Sequence, residues 1–174
     1  RVDGRRYLAE AVSRGAIAAV IEAAESVRSV SIPLILVPDS RQALALLANR
    51  FYGDPSRRLT MIGVTGTNGQ ATTSYLIKEI FEAAGQKMGL LGTVTYEIGK
   101  ESLVPPNTTP ESLDLQRLLS RMVEAGLSGA VMEVSSHALA MDRVLGCEFD
   151  TAVFTNLTQD HLDFHRTMED YFSA

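Results

Sequence analysis

The chain has 174 residues, of which 45% are hydrophobic and 21% are charged, and its formal net charge is −5. This balance is typical of a globular protein with a buried core. The acidic charge excludes a non-specific nucleic-acid binder, which needs a basic face to displace counterions, and no apolar run approaches the roughly 20 residues of a membrane span.

A single cysteine, Cys147, excludes an intramolecular disulfide and is typical of a protein from a reducing compartment. We therefore predict a cytoplasmic protein. The chain begins at Arg1 without the apolar stretch of a signal peptide, and it stops at Ala174 inside a segment with helical character. These ends predict a fragment of a longer protein.

The first third of the chain predicts a small unit of helices and strands. A helical pattern ends at Gly15, and two apolar runs, 16–21 and 32–37, predict short parallel strands that are buried on both faces. Asp39 is followed three residues later by Gln42, which predicts a capping box at the start of a helix. The predicted apolar face of that helix includes Leu44, Leu47, Ala48 and Phe51.

Turn-forming residues at 53–56 end this helix and mark the predicted domain boundary. Apolar strands and amphipathic helices alternate after them. The strands are predicted at 59–64, 88–91, 130–132 and 152–154, and the helices end at Gly85 and Gly126. This alternation predicts an α/β protein with a parallel sheet and right-handed crossovers.

A glycine-rich turn joins the strand at 59–64 to the next helix, and it reads Gly66-Thr67-Asn68-Gly69. Its glycines allow backbone N–H groups to curve around an anion, and the N-terminus of the helix adds positive potential. The strand before and the helix after favour a phosphate-binding loop over a plain tight turn. The common phosphate-loop pattern is matched imperfectly, because Gln70 and Ala71 stand where Lys and Ser or Thr are expected.

Polar residues at the ends of the later strands are candidates for a metal site. Glu133 follows an apolar strand, where its carboxylate either holds Mg²⁺ or is a solvated strand-end charge. His161 and His165 are four residues apart, a spacing that a helix places on one face, as in some zinc sites. No third potential ligand lies at a spacing that is typical of zinc sites. We interpret Cys147 as a core residue and favour a structural hydrogen bond for His165.

The polar loop at 107–109 is a candidate for substrate binding. Its neutral side chains suit a sugar or a peptide carboxylate. Alternatively, Thr109 caps the helix that begins after Pro110. Arg143 is suited to a carboxylate or a phosphate, because its guanidinium donates two parallel hydrogen bonds.

Four motifs occur in a fixed order along the chain. They are Gly66-Thr67-Asn68-Gly69, Asn107-Thr108-Thr109-Pro110, the segment from Glu133 to His137, and the segment from Asn156 to His165. Together they resemble the Mur ligases, the ATP-dependent amide ligases of peptidoglycan precursor synthesis, and most closely those that add the third stem-peptide residue. The resemblance covers nearly the whole chain. It implies that residues 56–174 are the first half of a P-loop-like, ATP-binding central domain, and that residues 1–55 are the later part of a UDP-substrate-binding domain.

The resemblance also implies a reaction. The γ-phosphate of ATP passes to a carboxylate of UDP-N-acetylmuramoyl-L-alanyl-D-glutamate, and the amine of a diamino acid, diaminopimelate or lysine, attacks the acyl phosphate to form an amide. ATP and Mg²⁺ are the implied cofactors. The implied partners are the UDP-N-acetylmuramoyl dipeptide and the diamino acid, without nucleic acid or a membrane span. The difficulty of this chemistry is electrostatic, because a carboxylate must approach a polyphosphate.

Individual roles follow from the same resemblance. It implies that Glu133 and His161 are catalytic residues that hold magnesium. Thr72 does not match the family pattern, but a shift of one residue would let it join them as a metal ligand. The implied ATP-binding residues are Gly66, Thr67, Asn68, Gly69, Gln70, Ala71 and Thr72. The implied substrate-binding residues are Asn107, Thr108, Thr109, Ser135 and Arg143.

Gln70 and Ala71 depart from the family pattern, which has Lys followed by Thr or Ser. One unit charge at ~4 Å with an effective dielectric constant of ~20 is worth ~4 kcal/mol, which corresponds to roughly a thousandfold in rate or affinity. We therefore predict that this fragment is inactive. A deliberately altered site, a degenerate ligase or a sequence error would each explain the change. The alternative functions are a non-catalytic muramoyl-peptide-binding module and a sister ligase, such as a folylpolyglutamate or cyanophycin synthetase.

Overall fold

The computed structural model describes residues 4–22 and 30–174. The chain divides into two compact units, residues 1–44 and residues 45–174. This division falls before the turn at 53–56, and the assignment of 1–55 and 56–174 to two functional domains stays a prediction. Within the two described ranges, no helix combines the length and the apolar character that crossing a membrane requires.

The described part of the first unit starts with helical turns and contains one pair of strands. A 3-10 turn, Gly4–Tyr7, leads into helix α1, Leu8–Ser13, and Gly15 follows with a left-handed φ of 96°. Strand β1, Ala19–Ile21, pairs with strand β2, Leu34–Leu36, in a parallel register. The helix end and the parallel pairing are therefore as predicted.

The predicted burial of these two strands is wrong in part. Ile21 is buried, but Ile35 and Leu36 are exposed. An apolar run predicts a strand that can be buried, whereas actual burial requires a covering layer on each face. The run itself carries no information about that layer.

Helix α2, Ser40–Phe51, begins after Asp39, as predicted. The Asp39 carboxylate accepts hydrogen bonds from the backbone N–H groups of Arg41, at 2.7 Å, and Gln42, at 3.0 Å, and thereby caps the helix. The helix buries its small residues, Ala45 and Ala48. Three of the larger residues on the predicted apolar face are exposed, namely Leu44, Leu47 and Phe51. Periodicity locates an apolar stripe but not the part of it that packs.

Six strands form the sheet of the second unit. In chain order they are β3, Thr60–Thr65; β4, Met88–Leu91; β5, Tyr96–Ile98; β6, Glu101–Leu103; β7, Gly129–Glu133; and β8, Thr151–Phe154. Their spatial order is β6-β5-β4-β7-β3-β8. The neighbours β4, β7, β3 and β8 are parallel, which confirms the predicted α/β fold with a parallel sheet. Strands β5 and β6 add antiparallel pairs beyond β4 and were not predicted, because three residues are too few to show a period.

Five α-helices follow β3 in the described part of the unit. They are α3, Gln70–Ala83; α4, Ser112–Glu124; α5, Ser136–Ala140; α6, Leu162–His165; and α7, Met168–Ser173. Helices α3 and α4 end just before Gly85 and Gly126, as predicted, and these glycines adopt left-handed φ values of 83° and 70°.

Both faces of the sheet are covered. One core cluster joins strand residues such as Met61 to residues of α4 such as Leu119. The other contains Ile62 and Val64 and packs against α3 through residues such as Phe81. Neighbouring strand residues therefore enter opposite clusters. With both faces covered, the edge formed by the carboxyl ends of the parallel strands is the expected place for a ligand.

Cys147 packs against the first of these clusters, as predicted. Burial raises the pKa of its thiol to about 11, and the Gln116 side-chain amide donates a hydrogen bond to the sulfur at 3.2 Å. The thiol therefore stays protonated at neutral pH. Because the nucleophilic form of cysteine is the thiolate, Cys147 is part of the packing and not a nucleophile.

Candidate functional site

The carboxyl ends of the parallel strands bring the sequence motifs to one edge of the sheet. Glu133 is the last residue of β7 and lies opposite Val64 of β3 in the register. The glycine-rich loop follows β3 directly, and the segment that follows β8 contacts this loop. Three motifs that are far apart in the sequence therefore meet where open α/β sheets bind their ligands.

The glycine-rich loop requires its first glycine. Gly66 adopts a φ of 136°, which L side chains rarely tolerate. A Cβ atom at this position would lie 2.2 Å from Thr155 Oγ1 and 2.8 Å from the Asn156 carbonyl oxygen. The loop is thus packed directly against the segment that follows β8.

Asn156 holds the glycine-rich loop through three hydrogen bonds. Its carbonyl oxygen accepts the Thr67 N–H at 2.9 Å, and its side-chain oxygen accepts the Asn68 N–H at 3.1 Å. The Asn156 side-chain amide in turn donates to the Asn68 carbonyl at 2.9 Å. No role was predicted for Asn156, although it opens the fourth motif. The available signal was its amide group, which can donate and accept at the same time.

The start of helix α3 supplies the remaining donors of the loop. The Thr73 N–H bonds to the Gly69 carbonyl at 3.0 Å and closes the first turn. The N–H groups of residues 70–72 precede that bond, where a helix offers no acceptor of its own. Such N–H groups, together with the helix dipole, form a binding site for phosphate.

Gln70 uses its side chain inside the loop. Its amide nitrogen donates a hydrogen bond to the Gly66 carbonyl. Ala71 has no polar side-chain atom. Thr72 is exposed, and its side chain leaves the helix about 100° around the axis from that of Ala71, since 3.6 residues make one turn. The position of Thr72 therefore does not reproduce that of a hydroxyl at residue 71, and its role as a metal ligand stays a prediction.

Glu133 is held by a turn that follows β4. Its carboxylate is buried, with the residue 3% exposed, so it is not a solvated strand-end charge. One carboxylate oxygen accepts the Thr93 N–H at 2.9 Å, and the other accepts the Thr93 hydroxyl at 2.9 Å. A Cβ atom at Gly92 would lie 2.3 Å from the first oxygen. Each oxygen keeps acceptor capacity for a further ligand. No role was predicted for Thr93.

The threonine pair, Thr108 and Thr109, lies beside Glu133. The hydroxyls of Thr108 and Thr93 are 3.0 Å apart. Thr109 is fully buried; its hydroxyl donates to the Glu133 carbonyl at 2.9 Å and accepts the Ser135 N–H at 3.0 Å. The alternative that Thr109 caps α4 is wrong, because Glu111 occupies the N-cap position. Thr109 instead joins the polar loop to the end of β7.

Replacing Thr109 by Val tests this junction. Val keeps the shape but leaves the Ser135 N–H and the Glu133 carbonyl without their partner. We expect the free energy of unfolding to fall by about 2–4 kcal/mol, because each buried polar group left unpaired costs about 1–3 kcal/mol. Urea denaturation measures this change. Thr109→Ser is the matched control: it keeps the hydroxyl, loses one methyl group, and should cost about 1 kcal/mol. Equal losses in the two variants would contradict the assigned hydrogen bonds.

Arg143 and Ser135 continue the same polar network. Arg143 donates to the Thr109 carbonyl at 3.0 Å and lies 2.6 Å from the Glu111 carboxylate. Its Nε atom is buried and has no partner among the described residues. The Ser135 hydroxyl caps α5 by accepting the Ala138 N–H at 3.2 Å. Both residues thus have structural contacts, and their contact with a substrate stays a prediction.

Asn107 lies at the start of the polar loop and is exposed. Its carbonyl oxygen accepts a hydrogen bond from the Tyr96 hydroxyl. Burial raises the pKa of Tyr96 to about 12, so the hydroxyl remains a donor across the physiological range. This bond fixes the backbone of Asn107 and leaves its side chain at the surface.

The three histidines lie together at the same edge. His161 precedes α6 as its N-cap, with a left-handed φ of 53°, and so is not on one helix face with His165. Its ring meets that of His137 at a centroid distance of 4.7 Å. Burial, followed by the neighbouring imidazoles, lowers the pKa of His137. His165 is buried, and its Nε2 lies 2.8 Å from the Ser136 hydroxyl, which confirms the predicted structural hydrogen bond.

The residues at this edge fit a nucleotide phosphate better than they fit its metal ion. The N–H groups at the start of α3 and the tight turn at Gly66 suit a phosphate. Glu133 and His161 are candidate metal ligands, but Ala71 supplies no oxygen. Among the described residues, no group of three or more His, Cys, Asp or Glu side chains is placed to hold a metal ion. The metal site is thus incomplete in these residues.

Known proteins match the chain over its whole length. UDP-N-acetylmuramoyl-L-alanyl-D-glutamate–2,6-diaminopimelate ligase from Geobacillus thermodenitrificans is 56% identical over 173 residues, which cover 99% of this chain and 35% of the relative. The ligase of the same name from Bacillus cereus is 51% identical over 173 residues, with the same coverage. The chain therefore spans about a third of the length of the curated relatives that it matches.

Solved structures agree with these matches. A structure of UDP-N-acetylmuramoyl-L-alanyl-D-glutamate–2,6-diaminopimelate ligase superposes with a TM-score of 0.84 at 33% identity, covering 97% of this chain and 34% of that one. The MurF ligase from Thermotoga maritima, solved in complex with ADP, gives a TM-score of 0.61 at 24% identity, covering 99% of this chain and 36% of that one, and supports the fold alone.

A family model described as the Mur ligase middle domain matches residues 64–174. This range contains the glycine-rich loop, the polar loop, Glu133 and His161, which are the elements that meet at the edge of the sheet. The match covers more than half of the chain and includes every residue that the resemblance placed in the site. The chain belongs to the Mur ligase family.

Proposed function

We propose that the chain is part of an ATP-dependent ligase that adds 2,6-diaminopimelate to UDP-N-acetylmuramoyl-L-alanyl-D-glutamate in the cytoplasm. The observation that carries this proposal is the meeting of the glycine-rich loop, Glu133 and the threonine pair at one edge of the sheet. The relatives, at 56% and 51% identity, bear the name of this activity and favour diaminopimelate over lysine.

The proposed reaction has two steps with balanced bonds. A carboxylate oxygen of the dipeptide attacks the γ-phosphorus of ATP, so ADP leaves and an acyl phosphate forms. The amine of the diamino acid then attacks the acyl carbon, phosphate leaves, and the amine loses a proton as the amide forms. The protein's part is to hold two anions together, which requires cations and N–H dipoles near both.

The residues of the chain have separate parts in this proposal. The N–H groups at the start of α3 bind phosphate oxygens, with Gly66, Thr67, Asn68 and Gly69 forming the loop. Glu133 and His161 are the proposed Mg²⁺ ligands. The substrate-binding residues are proposed to be Asn107, Thr108, Thr109, Ser135 and Arg143.

The chain alone is proposed to be inactive, and a longer protein is the proper subject of the activity test. The chain spans 35% of the Geobacillus relative, so two thirds of such a ligase lie outside it. We propose that residues 1–55 are the later part of the UDP-substrate-binding domain and residues 56–174 the first half of the ATP-binding domain. In addition, Gln70 and Ala71 supply neither the cation nor the hydroxyl that the phosphate-loop pattern requires.

The test is a ligation assay with the full-length protein that carries this chain. The protein is incubated with UDP-muramoyl dipeptide, ATP, magnesium and either diaminopimelate or lysine. Mass spectrometry detects the UDP-muramoyl tripeptide, and a coupled assay measures phosphate release. Product with diaminopimelate supports the proposal. Product with lysine alone would overturn the choice of amino acid, and absence of both products, with no substrate binding, would overturn the function.

The second candidate is a module that binds the muramoyl peptide without ATP chemistry. One contact favours it: Gln70 bonds to the Gly66 carbonyl, so that its side chain closes the loop instead of reaching a phosphate. Calorimetry separates the two candidates. Binding of UDP-muramoyl dipeptide without binding of Mg-ATP supports the module, whereas binding of both supports the ligase.

A further inference from the structure

We propose that Thr93 is a positioning residue that fixes the direction of the Thr108 hydroxyl, so that Thr108 accepts a hydrogen bond from the substrate and does not donate one. The inference rests on the proposed function, because it concerns the loop assigned to the muramoyl peptide. Thr93 lies in the turn between β4 and β5, outside the four motifs.

The direction follows from a count of protons. The Thr93 hydroxyl lies 2.9 Å from a carboxylate oxygen of Glu133 and 3.0 Å from the Thr108 hydroxyl. It has a single proton to donate, and an ionised carboxylate can only accept. The Thr93 proton therefore belongs to Glu133, and a bond to a charged acceptor is the stronger of the two options.

A second hydrogen bond fixes the position of Thr93 against Glu133. The Thr93 N–H donates to the second oxygen of Glu133 at 2.9 Å, so both carboxylate oxygens are held by one residue. Glu133 is itself 3% exposed and depends on these donors, since a buried carboxylate without partners is costly. Thr93 thus serves as a fixed acceptor toward Thr108.

The consequence lies at Thr108. Its proton must point at Thr93, which leaves only lone pairs for a ligand. Thr108 is half-buried and Thr93 is exposed, so the pair is accessible. An O–H or N–H group of the sugar or the peptide fits these lone pairs, whereas a carboxylate would face them and be repelled. This restricts the earlier expectation of a sugar or a peptide carboxylate: at Thr108 the ligand group is a hydrogen-bond donor.

The test compares three variants of the full-length protein by calorimetry with UDP-muramoyl dipeptide, in EDTA, so that no metal or turnover contributes. Thr93→Val keeps the shape but frees the Thr108 proton, and we expect about tenfold weaker binding. Thr93→Ser keeps the hydroxyl and should bind within about twofold of the wild type. Thr108→Val should lose about as much as Thr93→Val.

The double variant separates positioning from a structural role. If Thr93 acts through Thr108, adding Thr93→Val to Thr108→Val causes no further loss of affinity. Additive losses, or unchanged affinity in Thr93→Val, would overturn the inference while substrate binding by the wild type leaves the proposed function intact. If the wild type itself does not bind the substrate, both fail. Should Thr93→Val not fold by urea denaturation, unchanged affinity in Thr108→Val overturns the inference alone.

Discussion

Replacing Gln70 by Lys and Ala71 by Thr together is expected to raise the rate of phosphate release by about a thousandfold in the full-length protein. The lysine restores one positive charge near the polyphosphate, which is worth about 4 kcal/mol at ~4 Å and an effective dielectric constant of ~20. The threonine restores a hydroxyl for the metal at a position that now has no polar atom. The measurement is the steady-state rate with UDP-muramoyl dipeptide, Mg-ATP and diaminopimelate.

This experiment must separate the effect of the added lysine charge from the effect of losing the Gln70 hydrogen bond to Gly66. Gln70 now bonds to the Gly66 carbonyl, so any replacement also frees that carbonyl. The control is therefore Gln70→Met with Ala71→Thr, which removes the amide without adding a charge and should stay within about tenfold of the wild type. If the lysine variant binds UDP-muramoyl dipeptide but releases phosphate no faster than the control, the ligase proposal gives way to the binding module.

The alternation of apolar runs was sufficient to predict the parallel part of the sheet. The predicted strand at 88–91 coincides with β4, and the ends of α3 and α4 were marked by glycines that adopt positive φ. These features are local, because a strand's composition and a helix's last turn depend on neighbouring residues. The antiparallel pair, β5 and β6, was not predicted, since each strand has three residues.

The predicted site was less complete, because its supporting contacts are not local. Thr93 holds Glu133 from 40 residues away, and Asn156 braces Asn68 from 88 residues away. The sequence shows which residues can donate or accept but not which of them meet. Glu133 was therefore predicted correctly as a strand-end carboxylate, but the sequence alone does not distinguish a buried, hydrogen-bonded group from a solvated one.

Replacing Glu133 by Gln is expected to reduce the ligation rate at least a thousandfold while leaving the fold intact. Glu133 is buried at the sheet edge, and its charge is the one that the proposal places on magnesium. Loss of one charge near a metal–phosphate centre costs about 4 kcal/mol by the same Coulomb estimate. Because the loop with Gln70 and Ala71 is predicted to be nearly inactive, kcat/KM is measured in a protein that also carries Gln70→Lys and Ala71→Thr.

The stability of the Glu133→Gln variant follows from the contacts of Thr93. The introduced side-chain amide would keep one oxygen for the Thr93 N–H, and its nitrogen would donate to the Thr93 hydroxyl, which can reverse its proton toward Thr108. The free energy of unfolding should therefore change by less than about 1.5 kcal/mol, the value of one neutral hydrogen bond.

A matched control distinguishes the loss of a magnesium ligand from the general effect of removing one negative charge from the sheet. Glu97→Gln makes the same change on β5 of the same sheet, where the carboxylate lies 3.3 Å from the Lys78 ammonium and outside the candidate site. This control should retain the ligation rate within about twofold, because the Glu97 carboxylate is paired with the Lys78 ammonium, which keeps a second carboxylate partner in Glu82. Equal rate losses in Glu133→Gln and Glu97→Gln would contradict the magnesium-binding role of Glu133, since the loss would then follow from removing any carboxylate of the sheet.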